Sequence, residues 1–386
     1  MLNTIKLSNL GPIEDFSWSD LGNINLIIGK NSTGKTLILK SIFSALKSME
    51  EANKGDDNRN LSDILSEKVL WTFQPDKSKL GELVRKASDK PLSFEINADA
   101  GKLYYSFSKE TEKQIRPSEN TFSLPIDNNT IFIPSKEVIS RYQIVLRARE
   151  KDKIFGFDEC EYSLVKAMQY PSQAEFDNEV CKNASDVLTT IDKGKLEFDR
   201  NTDKWVFRDG NAQISMGLLS EGVRKIAVVE RLLSNNYIKP GTVVLIDEIE
   251  THLHIELQRN VMGVLTTIFP NIQFVVTTHS PFILSNTENA VIYDLENNTL
   301  VKEGLTNVTY EGVVEGYFNA DSLSNELREK FEAYKLLVSK DKISDKDIDT
   351  IIHLEHYLDK IPDYLAPKLT AEYSKLKLEF KSRSDL

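Results

Sequence analysis

The chain has 386 residues, 40% of them hydrophobic and 28% charged, a composition typical of a globular protein with a large core. Its net charge of −11 provides no global positive field for nucleic acid, although a local basic groove remains compatible with it. Cys160 and Cys181 are too few for a disulfide framework or a metal pattern. Because neither a secretory leader nor a membrane-length apolar run stands out, we expect a soluble, cytoplasmic protein.

The first elements predicted along the chain surround one glycine-rich loop. Residues 4–18 alternate as strands around a Gly-Pro turn, residues 24–28 form a mainly apolar run, and residues 37–43 have helical spacing. The loop between strand and helix fits G-x-x-x-x-G-K-[ST] at every fixed position. Its members are Gly29, Lys30, Asn31, Ser32, Thr33, Gly34, Lys35 and Thr36.

This strand, loop and helix together predict a phosphate-binding loop. Glycines let the backbone approach the phosphates, so that N–H groups and the helix N-terminus point at the anion. Lys35 is expected to reach the β- and γ-phosphates, and the Thr36 hydroxyl to hold Mg²⁺. A structural turn could carry the same residues, but the flanking strand and helix favour binding of a nucleoside triphosphate.

The middle of the chain mixes helices with short strands. The patterns predict a helix over 61–87, a hairpin over 91–108 and a buried strand at 130–134. From about 137 to 192 the pattern is mostly helical, and a second hairpin is expected over 195–207.

The last third alternates buried strands with helices. We expect helices at about 221–235 and 254–268 and strands at 243–246 and 272–277. Near-continuous Val and Ile in such strands predict a parallel sheet covered on both faces. A charged helical tail follows from about residue 320. The fold class expected is therefore α/β, with N-terminal antiparallel strands, a mostly parallel central sheet, a mainly helical insertion and a C-terminal helical tail.

Two strand ends carry groups suited to nucleotide hydrolysis. Asp247 and Glu248 follow the strand at 243–246, at the carboxyl edge where nucleotide sites lie. Asp247 would hold Mg²⁺ through its waters, and Glu248 could polarise the attacking water. His279 ends the next strand and could contact the γ-phosphate or orient that water. Taken singly, an acidic helix cap and a structural histidine are the alternative interpretations.

A helix start at Leu219–Lys225 offers another anion site, since Ser220 and the free N–H groups of the first turn could bind a phosphate. A plain helix cap is the alternative. The order of glycine-rich loop, helix start, acid pair and histidine resembles the ABC-type ATPase heads of the SMC and RecF group.

Four local stretches resemble more closely the AAA15/AAA21-type ATPases related to the overcoming-lysogenisation-defect (OLD) family. These stretches are residues 5–13, residues 131–137, Asp247–His254 and Thr277–Pro281. The likeness spans most of residues 1–315, and implies an ATPase head there, an insertion over about 135–215 and a tail over 316–386.

The resemblance also implies residue roles and an assembly. The implied catalytic set is Walker A at 29–36 with Lys35, Walker B Asp247, catalytic Glu248 and switch histidine His279. Ser220, Glu221 and Gly222 would belong to a signature that completes the nucleotide site of a second protomer. Two chains would then form a homodimer that sandwiches two ATP molecules with Mg²⁺.

The signature departs from the transporter form Leu-Ser-Gly-Gly-Gln, because Glu221 and Val223 replace a glycine and the glutamine. A carboxylate near a γ-phosphate is unfavourable unless Arg224 or Lys225 compensates its charge. The rate of hydrolysis is therefore left open by the sequence.

Other polar clusters receive simpler interpretations. Lys136 and Glu137 stand where such heads place a γ-phosphate-sensing loop. His252 and His254 are two residues apart, but the family carries histidines there without a transition metal. The acidic run at 345–349 is interpreted as helix capping rather than a metal site.

Two functional hypotheses follow. In the first, ATP closes the two heads and hydrolysis reopens them, and the closed state gates a separate nuclease or toxin, or acts on DNA. Small ATPases of this kind resemble components of bacterial anti-phage systems, including Septu-like and retron-associated ones. In the second, the chain is an ATP-bound scaffold that hydrolyses negligibly and restrains an effector. A motor subunit of a membrane transporter fits the altered signature and the long insertion poorly.

Overall fold

A computed structural model describes residues 1–54, 58–122, 129–171, 194–202, 204–268, 271–308, 310–316, 325–340, 342–361 and 367–382. Cys181, the expected helix beyond residue 171 and the expected start of the tail near residue 320 lie outside this part of the chain. The chain divides into two compact units, Met1–Val313 and Val314–Leu386.

The elements are numbered in chain order. The strands are β1 Leu2–Leu10, β2 Ile13–Ser19, β3 Ile24–Ile28, β4 Leu92–Ala98, β5 Gly101–Phe107, β6 Pro117–Asn120, β7 Thr130–Ile133, β8 Lys195–Asp199, β9 Lys204–Asp209, β10 Ala212–Ser215, β11 Val243–Ile246, β12 Gln273–Thr277, β13 Ala290–Asp294 and β14 Thr299–Val301. The helices are α1 Lys35–Asn53, α2 Leu61–Phe73, α3 Tyr142–Leu146, α4 Glu159–Met168, α5 Glu221–Ser234, α6 Ile255–Ile268, α7 Pro281–Asn286, α8 Tyr310–Gly316, α9 Asn325–Val338, α10 Asp345–Leu358 and α11 Pro367–Lys381.

The central sheet has six strands in the order β14-β13-β3-β12-β11-β7. Its four pairings from β13 to β7 are all parallel, and β14 adds an antiparallel edge. Every residue of β3, β11 and β12 is buried, which explains their continuous apolar sequence, since helices cover such sheets on both faces. The predicted α/β class with a mostly parallel central sheet is confirmed.

A second sheet is antiparallel, with the order β2-β1-β4-β5-β6. Helix α1 contributes apolar side chains to the core that this sheet shares with the central one, among them Ile38, Ile42 and Phe43. The Phe43 ring meets Phe132 of β7 edge-on, with 5.9 Å between ring centroids. Burying each such side chain contributes about 1.5–3 kcal/mol, so the core fixes the helix that follows the glycine-rich loop.

Some local predictions were wrong in extent. The helix expected over 61–87 ends at Phe73, because Gln74 adopts a left-handed conformation (φ 44°) and Pro75 follows. The insertion at 135–215 was predicted to be mainly helical with a hairpin over 195–207, and β8 and β9 confirm the hairpin. It contains α3, a π-helical segment at Arg147–Asp152 and α4, and then the antiparallel sheet β10-β9-β8.

The second unit contains α9, α10 and α11 around a small core of its own. The core residues are Phe331, Tyr334, Val338, Ile351, Leu354, Leu358, Leu369 and Tyr373. Helix α10 begins with a capping box in which Ser344 and Asp347 bond each other's backbone N–H groups. This confirms the interpretation of the acidic run at 345–349 as helix capping. Among the described helices, none is both long and apolar enough to cross a membrane.

Candidate functional site

The glycine-rich loop joins β3 to α1 at the carboxyl edge of the central sheet. The Lys35 ammonium lies inside the loop, where its Nζ donates to the carbonyl oxygens of Gly29 (2.8 Å) and Lys30 (2.9 Å). Lys35 is 7% exposed, and burial lowers its pKa against the opposing charges of Glu248 and Asp247. The loop thus holds one cation at its centre, as a phosphate-binding loop requires.

Gly34, which precedes α1, shows why the loop needs glycine there. Its φ is 103°, and a Cβ would lie 2.6 Å from Cγ1 of Ile13, the first residue of β2. On the other side of the loop, Lys30 forms an ion pair with Glu296 of the β13–β14 turn. The loop therefore lies between the start of β2 in one sheet and the β13–β14 turn of the other.

The acid pair lies directly across from α1. The Thr36 Oγ1 donates to both carboxylate oxygens of Asp247, at 3.0 and 3.1 Å. Thr277 at the end of β12 donates to the same carboxylate at 2.7 Å. Burial raises the pKa of Asp247, which is 5% exposed, and the two hydroxyl donors oppose that shift. A hydroxyl and a carboxylate side by side form the oxygen donor set that Mg²⁺ prefers, so the residues fit this ion.

Glu248 has an unusual backbone conformation that its neighbours stabilise. Its φ is 45°, in the left-handed region that is uncommon for residues other than glycine. Its N–H donates to Thr277 Oγ1 at 2.7 Å, and its carbonyl accepts from Lys225 Nζ at 3.1 Å. Strained residues persist where surrounding structure determines them, and they cluster at functional sites. The side chain is half-buried and accepts a long hydrogen bond from Thr251 at 3.4 Å.

His279 lies at the end of the neighbouring strand β12. Its N–H donates to Glu250 Oε1 at 2.6 Å. Burial lowers the pKa of the His279 imidazole, and the Lys35 charge lowers it further. The neutral imidazole is therefore favoured at neutral pH, and one ring nitrogen can accept a hydrogen bond while the other donates.

The signature segment, Leu219–Lys225, begins α5 with Ser220 as the N-cap. The Ser220 side chain accepts from the N–H of Val223 at 3.4 Å. Glu221 pairs with His252, with Oε2 2.6 Å from Nε2, and both side chains are about half exposed. A Cβ on Gly222 would lie 2.6 Å from the His252 carbonyl oxygen, so only glycine allows this approach.

The expected compensation of Glu221 takes a different form. Arg224 donates to the Leu219 carbonyl and, at 3.0 Å, to Glu137 Oε2. Lys225 is bonded to the Glu248 carbonyl instead, and burial lowers its pKa to about 8. The direct partner of Glu221 is thus His252, because the two basic side chains turn toward other loops.

Lys136 and Glu137, the two candidates for γ-phosphate sensing, differ in their contacts. Glu137 accepts from Arg224 and from the N–H of Ser140 at 2.8 Å, whereas Lys136 is exposed. The Glu137 carboxylate therefore links the segment after β7 to the signature helix.

Two site residues were not predicted from the sequence. Thr277 bonds both Asp247 and Glu248, and Glu250 bonds the Thr278–His279 loop. The sequence did show polar residues at the ends of apolar strands. It did not show which residues they bond, because the partners are distant in the chain.

A separate cavity of about 1280 Å³ lies between α5 and α6. Its described lining is mainly apolar and includes Ile226, Val229, Leu253, Leu257 and Val261. Neither Lys35 nor Thr36 nor Asp247 contributes to that lining, so this cavity is distinct from the cluster at the glycine-rich loop.

Comparison with known families supports the resemblance seen in the motifs. Residues 165–285 match the family model described as "AAA domain, putative AbiEii toxin, Type IV TA system". This stretch contains the signature segment, the acid pair and His279, but not the glycine-rich loop. The predicted resemblance to AAA21-type ATPases is confirmed.

The chain is also similar to curated bacterial proteins. It is 24% identical over 367 residues to the Septu protein PtuA of Bacillus mycoides (strain KBAB4), covering 90% of this chain and 48% of that protein. It is 34% identical over 151 residues to the Retron Ec83 probable ATPase of Escherichia coli, covering 36% of this chain and 28% of the relative. The chain thus spans about half the length, or less, of these relatives.

Solved structures with a similar arrangement include an SmcHead bound to the C-winged helix domain of ScpA, with 12% identity, coverage of 79% of this chain and 98% of that one, and a TM-score of 0.48. The recombination mediator protein RecF aligns with 15% identity over 78% of this chain and 98% of that one, with a TM-score of 0.43.

Proposed function

We propose that this chain binds Mg-ATP at residues 29–36 and hydrolyses it. The observation that carries the proposal is the contact of the Thr36 hydroxyl with the Asp247 carboxylate, 211 positions apart in the chain. This contact supports the proposal because Thr36 and Asp247, the two expected Mg²⁺ ligands, meet at the carboxyl edge of the parallel sheet, the edge at which such sheets generally bind nucleotides. The family match and the retron relative named as a probable ATPase support the same activity.

Each residue has a specific role in this proposal. Lys35 and the N–H groups of residues 29–34 bind the β- and γ-phosphates. When bound by Thr36 and Asp247, Mg²⁺ supplies charge neutralisation of those phosphates. The Glu248 carboxylate accepts a proton from the attacking water, and the neutral imidazole of His279 orients that water or contacts the γ-phosphate.

The proposed assembly is a homodimer formed with ATP. Ser220, Glu221 and Gly222 of one protomer complete the nucleotide site of the other, so two ATP molecules lie between two chains. Residues 1–315 act as the ATPase head, and residues 316–386 form the helical tail. The start of α5 favours this role because Ser220 and Glu221 are exposed rather than packed in the core.

The proposed biological setting is bacterial anti-phage defence in the cytoplasm. Similarity to a Septu protein and to a retron ATPase supports it. In this setting ATP-dependent closure gates a separate nuclease or toxin, and direct action on DNA is the other outcome that the same switch could have.

A non-hydrolysing scaffold is the second candidate function. The observation that favours it is Glu221, whose half-exposed carboxylate lies at the start of the signature helix and is paired with His252. A carboxylate there opposes the approach of a γ-phosphate, and would slow hydrolysis or prevent it.

The test is to compare Glu248→Gln with the unchanged chain in Mg-ATP hydrolysis and in native mass spectrometry. Loss of a general base reduces kcat by about 10²–10⁴-fold, while ATP binding should persist. We expect the variant to double its mass with Mg-ATP and to retain a second polypeptide when purified from its host. Glu256→Gln, on the exposed face of α6, is the matched control and should hydrolyse ATP normally.

Three results would count against the switch. A mass that ignores ATP would exclude ATP-dependent dimerisation. Equal, negligible hydrolysis by the unchanged chain and by Glu248→Gln, with ATP still bound, would favour the scaffold. A transmembrane partner in the purified complex would instead support a transporter motor.

A further inference from the structure

Glu250 connects the two strand ends that carry Glu248 and His279. Its Oε2 accepts from the Thr278 hydroxyl at 2.7 Å, and its Oε1 accepts from the His279 N–H at 2.6 Å. One carboxylate therefore satisfies two successive donors of the loop after β12. Hydrogen bonds to an ionised carboxylate are about twice as strong as neutral ones, so this contact fixes the loop tightly.

A second contact joins the same two strand ends, with the donor now on the β11 side and the acceptor on the β12 side. The N–H of Glu248 donates to Thr277 Oγ1 at 2.7 Å. Thr277 of β12 and Glu250 thus each supply an acceptor to a backbone N–H across the strand pair, and both contacts lie at the carboxyl end of the β11–β12 pairing. The relative position of the Glu248 and His279 side chains depends on both contacts.

The Thr278 hydroxyl extends the connection toward α7. It accepts from the N–H of Ser280 at 3.0 Å, and the Ser280 hydroxyl donates to Gln258 of α6 at 2.7 Å. The loop that carries His279 is therefore held by Glu250 on one side and by α6 on the other. Without Glu250, the His279 N–H would lose its acceptor, while the Thr278 N–H would keep its bond to the Ile27 carbonyl at 3.2 Å.

We propose that Glu250 is a positioning residue that aligns His279 with Glu248 for hydrolysis. This inference rests on the proposed function, because it assigns Glu250 a role in the same site. Glu250 acts through His279 and not on the substrate. Its loss should therefore reduce kcat more than ATP binding, and only in a chain that still has His279.

The test is a double-mutant cycle of Glu250→Ala and His279→Ala, with kcat, KM for ATP and melting temperature measured for each variant. Misplacement of a catalytic group by about 1 Å can reduce the rate about 100-fold, so we expect a loss of this size for Glu250→Ala. KM should change less than about threefold, because Lys35 and Thr36 keep their contacts. In the His279→Ala background, Glu250→Ala should add less than about threefold.

Two further variants keep the test decisive if Glu250→Ala folds poorly. Glu250→Gln retains an oxygen that can accept from the His279 N–H. Its kcat should therefore be at least about tenfold higher than that of Glu250→Ala. Thr278→Val removes only the hydroxyl contact, and should reduce kcat less than Glu250→Ala. Glu256→Ala, six residues further along, is the control for removing a glutamate.

The outcomes separate the possible failures. If the losses of Glu250→Ala and His279→Ala multiply fully, Glu250 does not act through His279 and the inference is wrong. A parallel fall in kcat, ATP binding and melting temperature in both Glu250→Ala and Glu250→Gln would mean a merely structural role. If the unchanged chain hydrolyses no more ATP than Lys35→Ala, the proposed function itself fails, and this inference with it.

Discussion

The strand-end cluster and the signature segment differ in how completely the chain itself fixes them. In the strand-end cluster (Lys35, Thr36, Asp247, Glu248 and Thr277), Lys35 and Asp247 are 7% and 5% exposed, and hydrogen bonds join members to one another. In the signature segment, Glu221 and its partner His252 have side chains 44% and 48% exposed.

This difference indicates which part of the site is preorganised. Buried polar groups with several partners keep one geometry, because losing a partner costs the full desolvation of the group. An exposed side-chain pair contributes only about 0–1 kcal/mol, so Glu221 can exchange His252 for another partner at small cost. The structure therefore combines a rigid half, which we expect to bind phosphate, with an exposed half that could contact another molecule.

The largest effect is expected from a substitution of Lys35 in the strand-end cluster. Lys35→Ala removes the ammonium at the centre of the loop, and should weaken Mg-ATP binding about 100-fold, since a charged hydrogen bond contributes up to about 3 kcal/mol. Calorimetric titration with Mg-ATP measures this. Lys30→Ala is the matched control, because it keeps the backbone N–H of the loop and removes only an exposed side chain that pairs with Glu296. Equal losses in both variants would contradict the central role of Lys35.

An intermediate effect tests the contact between the two regions. Gly222→Ala places a Cβ 2.6 Å from the His252 carbonyl, so α5 must shift away from the loop after Glu248. Such overpacking should cost about 1–3 kcal/mol of stability and weaken ATP-dependent dimerisation. Chemical denaturation and native mass spectrometry report the two effects.

Gly217→Ala is the control for this variant, since a Cβ at Gly217 would meet nothing within 4 Å. Unchanged stability and dimerisation in Gly222→Ala would show that the close approach to His252 is not needed.

The smallest expected effect concerns Glu221 of the signature segment, and tests whether its carboxylate faces a partner's phosphate. Glu221→Gln should change the free energy of unfolding by less than about 1 kcal/mol, because the altered contact with His252 is exposed. It should nevertheless strengthen ATP-dependent dimerisation a few-fold if the carboxylate faces a partner's phosphate. His252→Gln removes the same pair but keeps the carboxylate, and should not strengthen dimerisation. The same change in both variants would contradict a phosphate near Glu221.

Local patterns in the sequence were sufficient to predict the loop and the strands that carry the site residues. The glycine-rich loop has a fixed spacing, and β3, β11 and β12 are apolar because helices cover both faces of their sheet. The strand β13 was not predicted from the sequence, although it pairs parallel to β3. The helix over 61–87 was predicted too long, although Pro75, next to the left-handed Gln74, is a local signal for its end.

The sequence by itself determined the residue types at the site and the strand ends on which they lie, because periodicity and motif spacing are properties of short segments. Only the tertiary structure decided their partners. Thr36 meets Asp247, Glu221 meets His252 instead of Arg224 or Lys225, and Glu250 holds the loop of His279. These pairs are set by which strands are neighbours in the sheet and by how α5 packs, and no local pattern encodes those long-range contacts.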